Sequence, residues 1–226
     1  MYKIFFKRII DILIALMALL ILLPLFIPVC LILLLTGEHE VFYLQKRVGY
    51  HNAYFKIWKY VTMLKNSPSM GTGSLTLRND PRVLPFGKFL RRSKINELPQ
   101  IINVLIGNMS IVGPRPQMEV DFLKFPENIQ KVIYNVKPGI TGIGSIIYRD
   151  EEKLLTNSGM EPHEFYRLYL APHKGDLEVW YQKHLNLKTD MLLIFLTAWS
   201  IICPENKLVY KVFKDLPGLN FDNKSI

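Results

Sequence analysis

The run 9-IIDILIALMALLILLPLFIPVCLILLL-35 decides what kind of protein this is. Its 27 residues carry a single charge, Asp11. As a helix rising 1.5 Å per residue it reaches about 40 Å, more than the ~30 Å hydrocarbon core of a bilayer requires. It is too long for a signal peptide and no small-residue cleavage site follows it, so it is expected to stay and hold the chain at a membrane. Pro24 and Pro28 lie four apart in its second half. Each removes a backbone hydrogen bond, which predicts a kink or break near 20–28. Lys3, Lys7 and Arg8 precede the run, and Lys46 and Arg47 follow it. Positive charge beside both ends favours the cytoplasmic side for both. A helix that enters and leaves by one face satisfies both clues; a tilted spanning helix with a proline kink is the alternative.

The 226 residues suit one domain with appendages, and 28 basic against 19 acidic residues give +9. Such an excess fits nucleic acid, an anionic membrane or a phosphorylated substrate. No nucleic-acid-binding module is recognisable beside the apolar anchor, so nucleic acid is not expected as a partner. Cys30 and Cys203 both lie in apolar runs and read as buried small hydrophobes rather than a disulfide framework.

Past Gly37, residues 41–64 read as two short strands around a turn at Gly49-Tyr50-His51-Asn52. The stretch 66-NSPSMGTGSLTLRNDPR-82 reads as an exposed, mobile loop. Helical patterns follow at 84–92, 96–106, 117–134, 161–170, 174–185 and 188–203, with a glycine-punctuated extended segment at 137–149. The run 191-MLLIFLTAWSIIC-203 is too short to span a bilayer and is expected in the core, with the membrane interface as the alternative. The tail sets Leu208, Val212 and Phe213 against Lys207, Lys211 and Lys214, as an in-plane amphipathic segment would. The expected architecture is an α-rich α/β, membrane-associated (monotopic) domain. Residues 1–36 are expected as the membrane helix, 37–205 as the main domain and 206–226 as a basic amphipathic tail.

Several chemical signals fail on spacing. His163-Glu164 would need histidine at 167 for a zinc-protease helix, and that residue is Arg167. Gly71-Thr72-Gly73 has Thr76 where a dinucleotide loop needs its third glycine. The stretch 91-RRSKINELPQIINVL-105 does better. Proline is tolerated only in a helix's first turn, so Pro99 predicts an N-cap close to Asn96 with Glu97 in the first turn. A helix start offers free N–H groups to an anion. Arg91 and Arg92 precede it, and Arg115 sits on the rigid 113-GPRP-116 turn. Guanidinium forks suit phosphate oxygens, and a carboxylate among them suits Mg²⁺, a base or a nucleophile. A plainer reading remains open: Asn96 caps, Glu97 complements the helix dipole and the arginines are solvated.

The same residues resemble the bacterial sugar transferases, the monotopic polyprenyl-phosphate phosphoglycosyl transferases, over about residues 3–200. The blocks that carry the likeness are 42-FYLQKRVG-49, 55-FKIWKYVTM-63, 79-NDPRVLPFGKFLRRSKINELPQIINVLIGNMSIVGPRP-116 and 136-VKPGITG-142, after the proline-broken apolar helix. The resemblance implies a re-entrant membrane helix broken at Pro24, interfacial amphipathic helices, and an active site on the cytoplasmic face of the inner membrane. It implies an enzyme that moves a sugar 1-phosphate from a nucleotide-sugar, usually UDP-linked, to polyprenyl (undecaprenyl) phosphate. UMP is released, and this step begins assembly of a surface glycan. A homodimer is compatible with it. An adjacent Asp-Glu pair with Mg²⁺ is catalytic in the family, its aspartate attacking the donor to give a covalent phosphosugar. By position, that pair falls on Asn96 and Glu97, with Glu97 the metal carboxylate. The phosphate-binding cations fall on Arg91 or Arg92, Arg115 and Lys59.

Asn96 departs from the pattern, because an amide is not a competent nucleophile towards a diphosphate. Either Glu97 or another residue takes that role, or the acceptor phosphate attacks directly, or the chain is an inactive membrane scaffold or regulator. Val61 replaces the family's usual arginine, and 143-IGSIIYRDEE-152 replaces its usual Trp-Gln-containing segment. There Arg149 is expected as a donor contact, and Asp190 as a supporting carboxylate.

Overall fold

The computed structural model describes residues 2–203 and 208–218. A π-helical turn, Tyr2–Phe6, leads into helix α1, Lys7–Leu35. The helix runs uninterrupted through Pro24 and Pro28, so the expected break is not one in the hydrogen-bonded helix. Each proline lacks only its own N–H, and the flanking turns carry the helix past it. One face of α1 is bare aliphatic surface, with Leu20, Ile21, Ile27 and Leu31 exposed, a surface suited to lipid.

The opposite face lies along the rest of the chain. In the first half, Ala15 packs with Ile57, Ile101, Val104 and Met109; in the second, Val29 and Leu33 pack with Tyr60 and Leu90. Polar contacts fix the start of the helix. Lys7 reaches Asp190 at 2.6 Å, and Tyr2 and Tyr181 donate to the same carboxylate. Asp11 accepts from Ser110 Oγ and the Ile111 N–H, and Arg8 donates to the Val104 and Leu105 carbonyls.

Strands β1 (Phe42–Val48) and β2 (Tyr54–Tyr60) form the expected antiparallel hairpin, pairing Phe42 with Tyr60 and Val48 with Tyr54. Its turn puts His51 and Asn52 at φ of +51° and +58°. Residues 66–82, expected to be mobile, wrap around a buried side chain instead. Arg82, 3% exposed, pairs with Asp80 at 2.6 Å. It also donates to the carbonyls of Ser67, Met70, Gly73 and Leu75. A guanidinium's five donors thus replace the hydrogen bonds that this glycine- and serine-rich segment cannot make to itself.

Helices α2 (Pro85–Arg92) and α3 (Gln100–Ile106) flank a short 3₁₀ turn, Ile95–Glu97. Strand β3 (Ser110–Val112) then pairs in parallel with β4 (Gly139–Thr141). The approach is so close beyond β3 that a Cβ on Gly139 would lie 2.1 Å from the Gly113 nitrogen. Between these strands the expected helix at 117–134 is two short ones, α4 (Glu119–Phe122) and α5 (Glu127–Gln130), divided where Pro126 supplies no N–H. The segment expected to stay extended to 149 turns helical after Gly142 as α6 (Ile143–Ile147).

Helices α7 (Glu151–Asn157) and α8 (Pro162–Phe165), a π-helical turn (Tyr166–Leu170), α9 (Ala171–Lys183) and α10 (Leu187–Ile202) complete the main core. Leu177, Tyr181, Leu193 and Leu196 lie at its centre. Helix α10 is apolar on both its buried and its exposed face. Leu193 and Leu196 are buried, while Leu187, Met191, Phe195 and Ile202 form an exposed apolar stripe. The tail helix α11 (Leu208–Val212) buries Val209 in the core, with Leu208 and Phe213 packed against it and Lys211 and Lys214 exposed; Lys207 lies outside the described residues. The described residues are thus helix-rich, with two small sheets and one long apolar N-terminal helix.

Candidate active site

Lys94, at φ +62°, ends α2 and reverses the chain into the 3₁₀ turn that carries Asn96 and Glu97. The turn is held by i→i+3 bonds: Glu97 N–H to Lys94 O, and Leu98 N–H to Ile95 O. Pro99 makes this tighter path necessary, since in an α-helix its ring would strike the Ile95 carbonyl. Asn96 is therefore not the N-cap that the sequence predicted, and its side chain caps nothing. It is 6% exposed, and its Oδ1 has no hydrogen-bond partner among the described residues.

Glu97 is the centre of a charged cluster. Arg115 grips it with both terminal nitrogens, at 3.2 Å and 2.6 Å, and Lys59 Nζ lies 3.6 Å from the same carboxylate. Three separate elements converge here: strand β2 brings Lys59, the 3₁₀ turn brings Glu97, and the Gly-Pro-Arg-Pro turn after β3 brings Arg115. The Tyr134 hydroxyl holds that last turn, donating to the Arg115 carbonyl at 2.9 Å.

Burial alone would raise the Glu97 pKa, but Arg115 and Lys59 outweigh it and hold the carboxyl well below the usual carboxylate range. Glu97 in turn raises Arg115, against its own burial. Burial, with Arg47 and Arg115 as like charges, pushes Lys59 down to about 7, although Glu97 opposes the shift. Arg47, Lys59, Lys94 and Arg115 all lie within electrostatic reach of this one carboxylate. The surplus is positive, and a cluster of that kind attracts a multiply charged anion.

The remaining expected residues divide. Arg91 donates to Glu152 at 2.7 Å, on the rim of the cluster and within reach of Lys59. Arg92 is exposed. The structure joins neither Arg149 nor Asp190 to Glu97. Arg149 donates to Ser200 on α10, and Asp190 is taken up by Tyr2, Lys7 and Tyr181 as the anchor of α1.

Two groups near the cluster escaped the sequence reading, Arg47 on β1 and a buried layer behind Arg115. In that layer Lys174 pairs with Glu151 at 2.7 Å, and Tyr166 and Glu178 each keep a buried oxygen without a partner among the described residues. Burial pushes the Glu178 carboxyl up to about 8, so it is protonated in the folded protein at neutral pH. A carboxyl raised in this way binds a proton that the unfolded chain releases, so stability falls as pH rises from about 4.5 to about 8. Unfolding temperatures measured across that window are expected to drop less in Glu178→Gln than in the natural chain. Parallel curves would mean that Glu178 is ionised in the fold.

As for a metal, no group of three or more ligating side chains occurs among the described residues. Mg²⁺ commonly takes one or two protein oxygens and the rest from phosphates and water. The Glu97 carboxylate and the unpartnered Asn96 amide oxygen fit that pattern of supply.

Comparison with known proteins is consistent with this chemistry. The profile of a family described as bacterial sugar transferase matches residues 2–204. A UDP-N-acetylgalactosamine-undecaprenyl-phosphate N-acetylgalactosaminephosphotransferase of Aeromonas hydrophila is 32% identical over 200 residues, covering 88% of this chain and 44% of the relative. The exopolysaccharide production protein ExoY of Sinorhizobium fredii is 30% identical, covering 86% of this chain and 84% of its own. A UDP-glucose:undecaprenyl-phosphate glucose-1-phosphate transferase of Escherichia coli is 35% identical, covering 86% of this chain and 39% of the relative. The chain therefore spans less than half the length of two of these three relatives.

Proposed function

The chain belongs to the bacterial sugar transferase family, and from that membership we propose that it transfers a sugar 1-phosphate from a UDP-sugar to polyprenyl phosphate, releasing UMP. The observation that carries the reading is the single ionised carboxylate, Glu97, gripped by Arg115 and Lys59 amid surplus positive charge. An inactive scaffold has no use for such a cluster, which is costly to bury without a ligand.

Direct transfer suits Asn96. The acceptor is a phosphate monoester whose second pKa is about 6, so it is already ionised at neutral pH and needs no base. Its oxygen attacks the sugar-bearing phosphorus of the donor. One P–O bond forms to the acceptor, the P–O bond between the two donor phosphates breaks, and UMP leaves with that electron pair. Arg115 and Lys59 hold phosphate oxygens and offset charge that develops on them, and the tight Ile95–Glu97 turn fixes Glu97 against them. Mg²⁺, held by Glu97 with the Asn96 amide oxygen, would add Lewis-acid stabilisation of the phosphates when bound. Incubation with donor alone is expected to leave the intact mass unchanged. A phosphosugar adduct on the natural chain would overturn the direct route.

We also read α1 as a re-entrant anchor, dipping into the cytoplasmic leaflet of the inner membrane, with the exposed stripe of α10 in the interface. Support comes from the packing. Both halves of α1 lie on the same body of protein, with Lys7 tied to Asp190 near one end and Leu33 packed by Leu90 near the other. A helix crossing a bilayer would carry one end about 30 Å from that body. A cysteine introduced at Tyr2 should react with an impermeant maleimide only after the cells are opened. Labelling of intact spheroplasts from outside would refute the anchor.

The activity test is UMP release from a panel of UDP-sugars with undecaprenyl phosphate and Mg²⁺. Release with at least one donor is expected, and no release with any would leave the scaffold reading ahead.

A further inference from the structure

Among the described residues, the Arg47 cation of the cluster has no carboxylate partner. The Arg47 guanidinium is held by Gln45 Oε1, through Nε at 3.1 Å and one terminal nitrogen at 2.5 Å. Its other terminal nitrogen donates to the Pro116 carbonyl at 3.1 Å. Both acceptors of these three bonds are neutral oxygens, and no carboxylate pairs with Arg47 among the described residues. A guanidinium has five N–H donors, so two are left. The nearby acids are engaged elsewhere: Glu97 with Arg115, and Asp121 with Lys124 at 2.9 Å. Arg47 is buried enough, and close enough to Arg115, that its pKa falls to about 10.

Placing a second guanidinium within electrostatic reach of Arg115, with Glu97 already committed to Arg115, costs free energy until an anion arrives. The arrangement is also rigid. Gln45 and Arg47 share one face of β1, and the Pro116 carbonyl belongs to the same turn that presents Arg115. A second unsatisfied group lies in the same field: the Tyr166 hydroxyl, buried on a π-helical turn, is within electrostatic reach of both arginines and has no hydrogen-bond partner among the described residues. Inserted π-helical turns often mark functional sites.

We propose that Arg47 and Arg115 form a two-point clamp for a diphosphate, each arginine taking one of two linked phosphates. This rests on reading the Glu97 cluster as a phosphate site. It makes Arg47, on β1, a binding residue for the diphosphate of the donor. A plainer role, in which Arg47 only steadies the Gly-Pro-Arg-Pro turn through Pro116, makes a different prediction. Loss of a steadying residue weakens every anion alike.

The test measures binding of inorganic pyrophosphate and of orthophosphate to the full chain in detergent with EDTA, by isothermal titration. The natural chain is expected to bind pyrophosphate about 10-fold or more tightly than orthophosphate, as a second charge-assisted bidentate contact would allow. Arg47→Gln should reduce that preference to about 2-fold or less, mainly by weakening pyrophosphate. Arg47→Lys keeps the charge without the fork and should fall between, which keeps the test valid if the glutamine variant does not fold. Equal weakening of both ions by either variant, or no preference in the natural chain, would overturn the clamp. Failure of the transferase reading would show separately, as absent UMP release with the pyrophosphate preference intact.

Discussion

Glu97→Gln lowers kcat/KM for UMP release by about 10³-fold or more, as removal of a central charged group from a phosphoryl-transfer site does. The substitution keeps shape and hydrogen-bonding capacity, so the loss isolates the charge. Binding should move the other way. Arg115 and Lys59 now spend their charge on Glu97, at 2.6 Å and 3.6 Å. With a neutral amide there, the Arg115 fork is free for a phosphate, so pyrophosphate in EDTA should bind at least as tightly as to the natural chain. Reduced turnover with undiminished anion binding is the signature of a group that acts on the reaction rather than on ground-state affinity. Full activity in this variant would remove Glu97 from the mechanism and, with it, the proposed Mg²⁺ carboxylate.

Arg82→Ala should be the most destabilising single change outside the core. It strips four backbone carbonyls of their donor and leaves Asp80 buried without its ion-pair partner. Breaking one side of a buried pair typically costs about 3–5 kcal/mol. For a chain of this size that lowers the unfolding temperature by about 10 °C. The loss should be local first, so limited proteolysis is expected to cut between residues 66 and 82 before the rest unfolds. An unchanged melting curve and an uncut loop would show that the segment is ordered by something other than Arg82.

That loop also shows where sequence reasoning stops. Its Ser, Gly, Asn and Pro content is what mobile linkers have, and nothing local reveals that Arg82 turns inward to meet four carbonyls from residues 67–75. The β1–β2 hairpin was legible because strand-forming residues flank a glycine-led turn. So was α1, because 27 residues with one charge have few other fates. Helix α10 was harder, since its buried and exposed faces are both apolar and hydropathy cannot tell them apart. At the site, Arg91, Lys59, Arg115 and Glu97 could be named in advance from motif blocks. Pro99 signalled a helix start with its cap near Asn96, but the helix starts at Gln100 after a 3₁₀ turn, which moves Asn96 from a cap to a buried position. Arg149 was expected from its place in the divergent segment 143–152 and Asp190 as a supporting carboxylate, and their partners lie on α10 and at the root of α1. The reverse omission was Arg47, whose alternation with Gln45 in an aromatic strand is a signal of a polar inner face.

The central claim is that sugar and phosphate move together. A donor labelled with ³²P in the phosphate that bears the sugar and with ¹⁴C in the sugar itself tests it most directly. After reaction with undecaprenyl phosphate and extraction, both labels are expected in the lipid fraction at the donor's own ratio, with unlabelled UMP in the aqueous phase. Sugar label on the lipid with ³²P left behind in UDP would contradict the account.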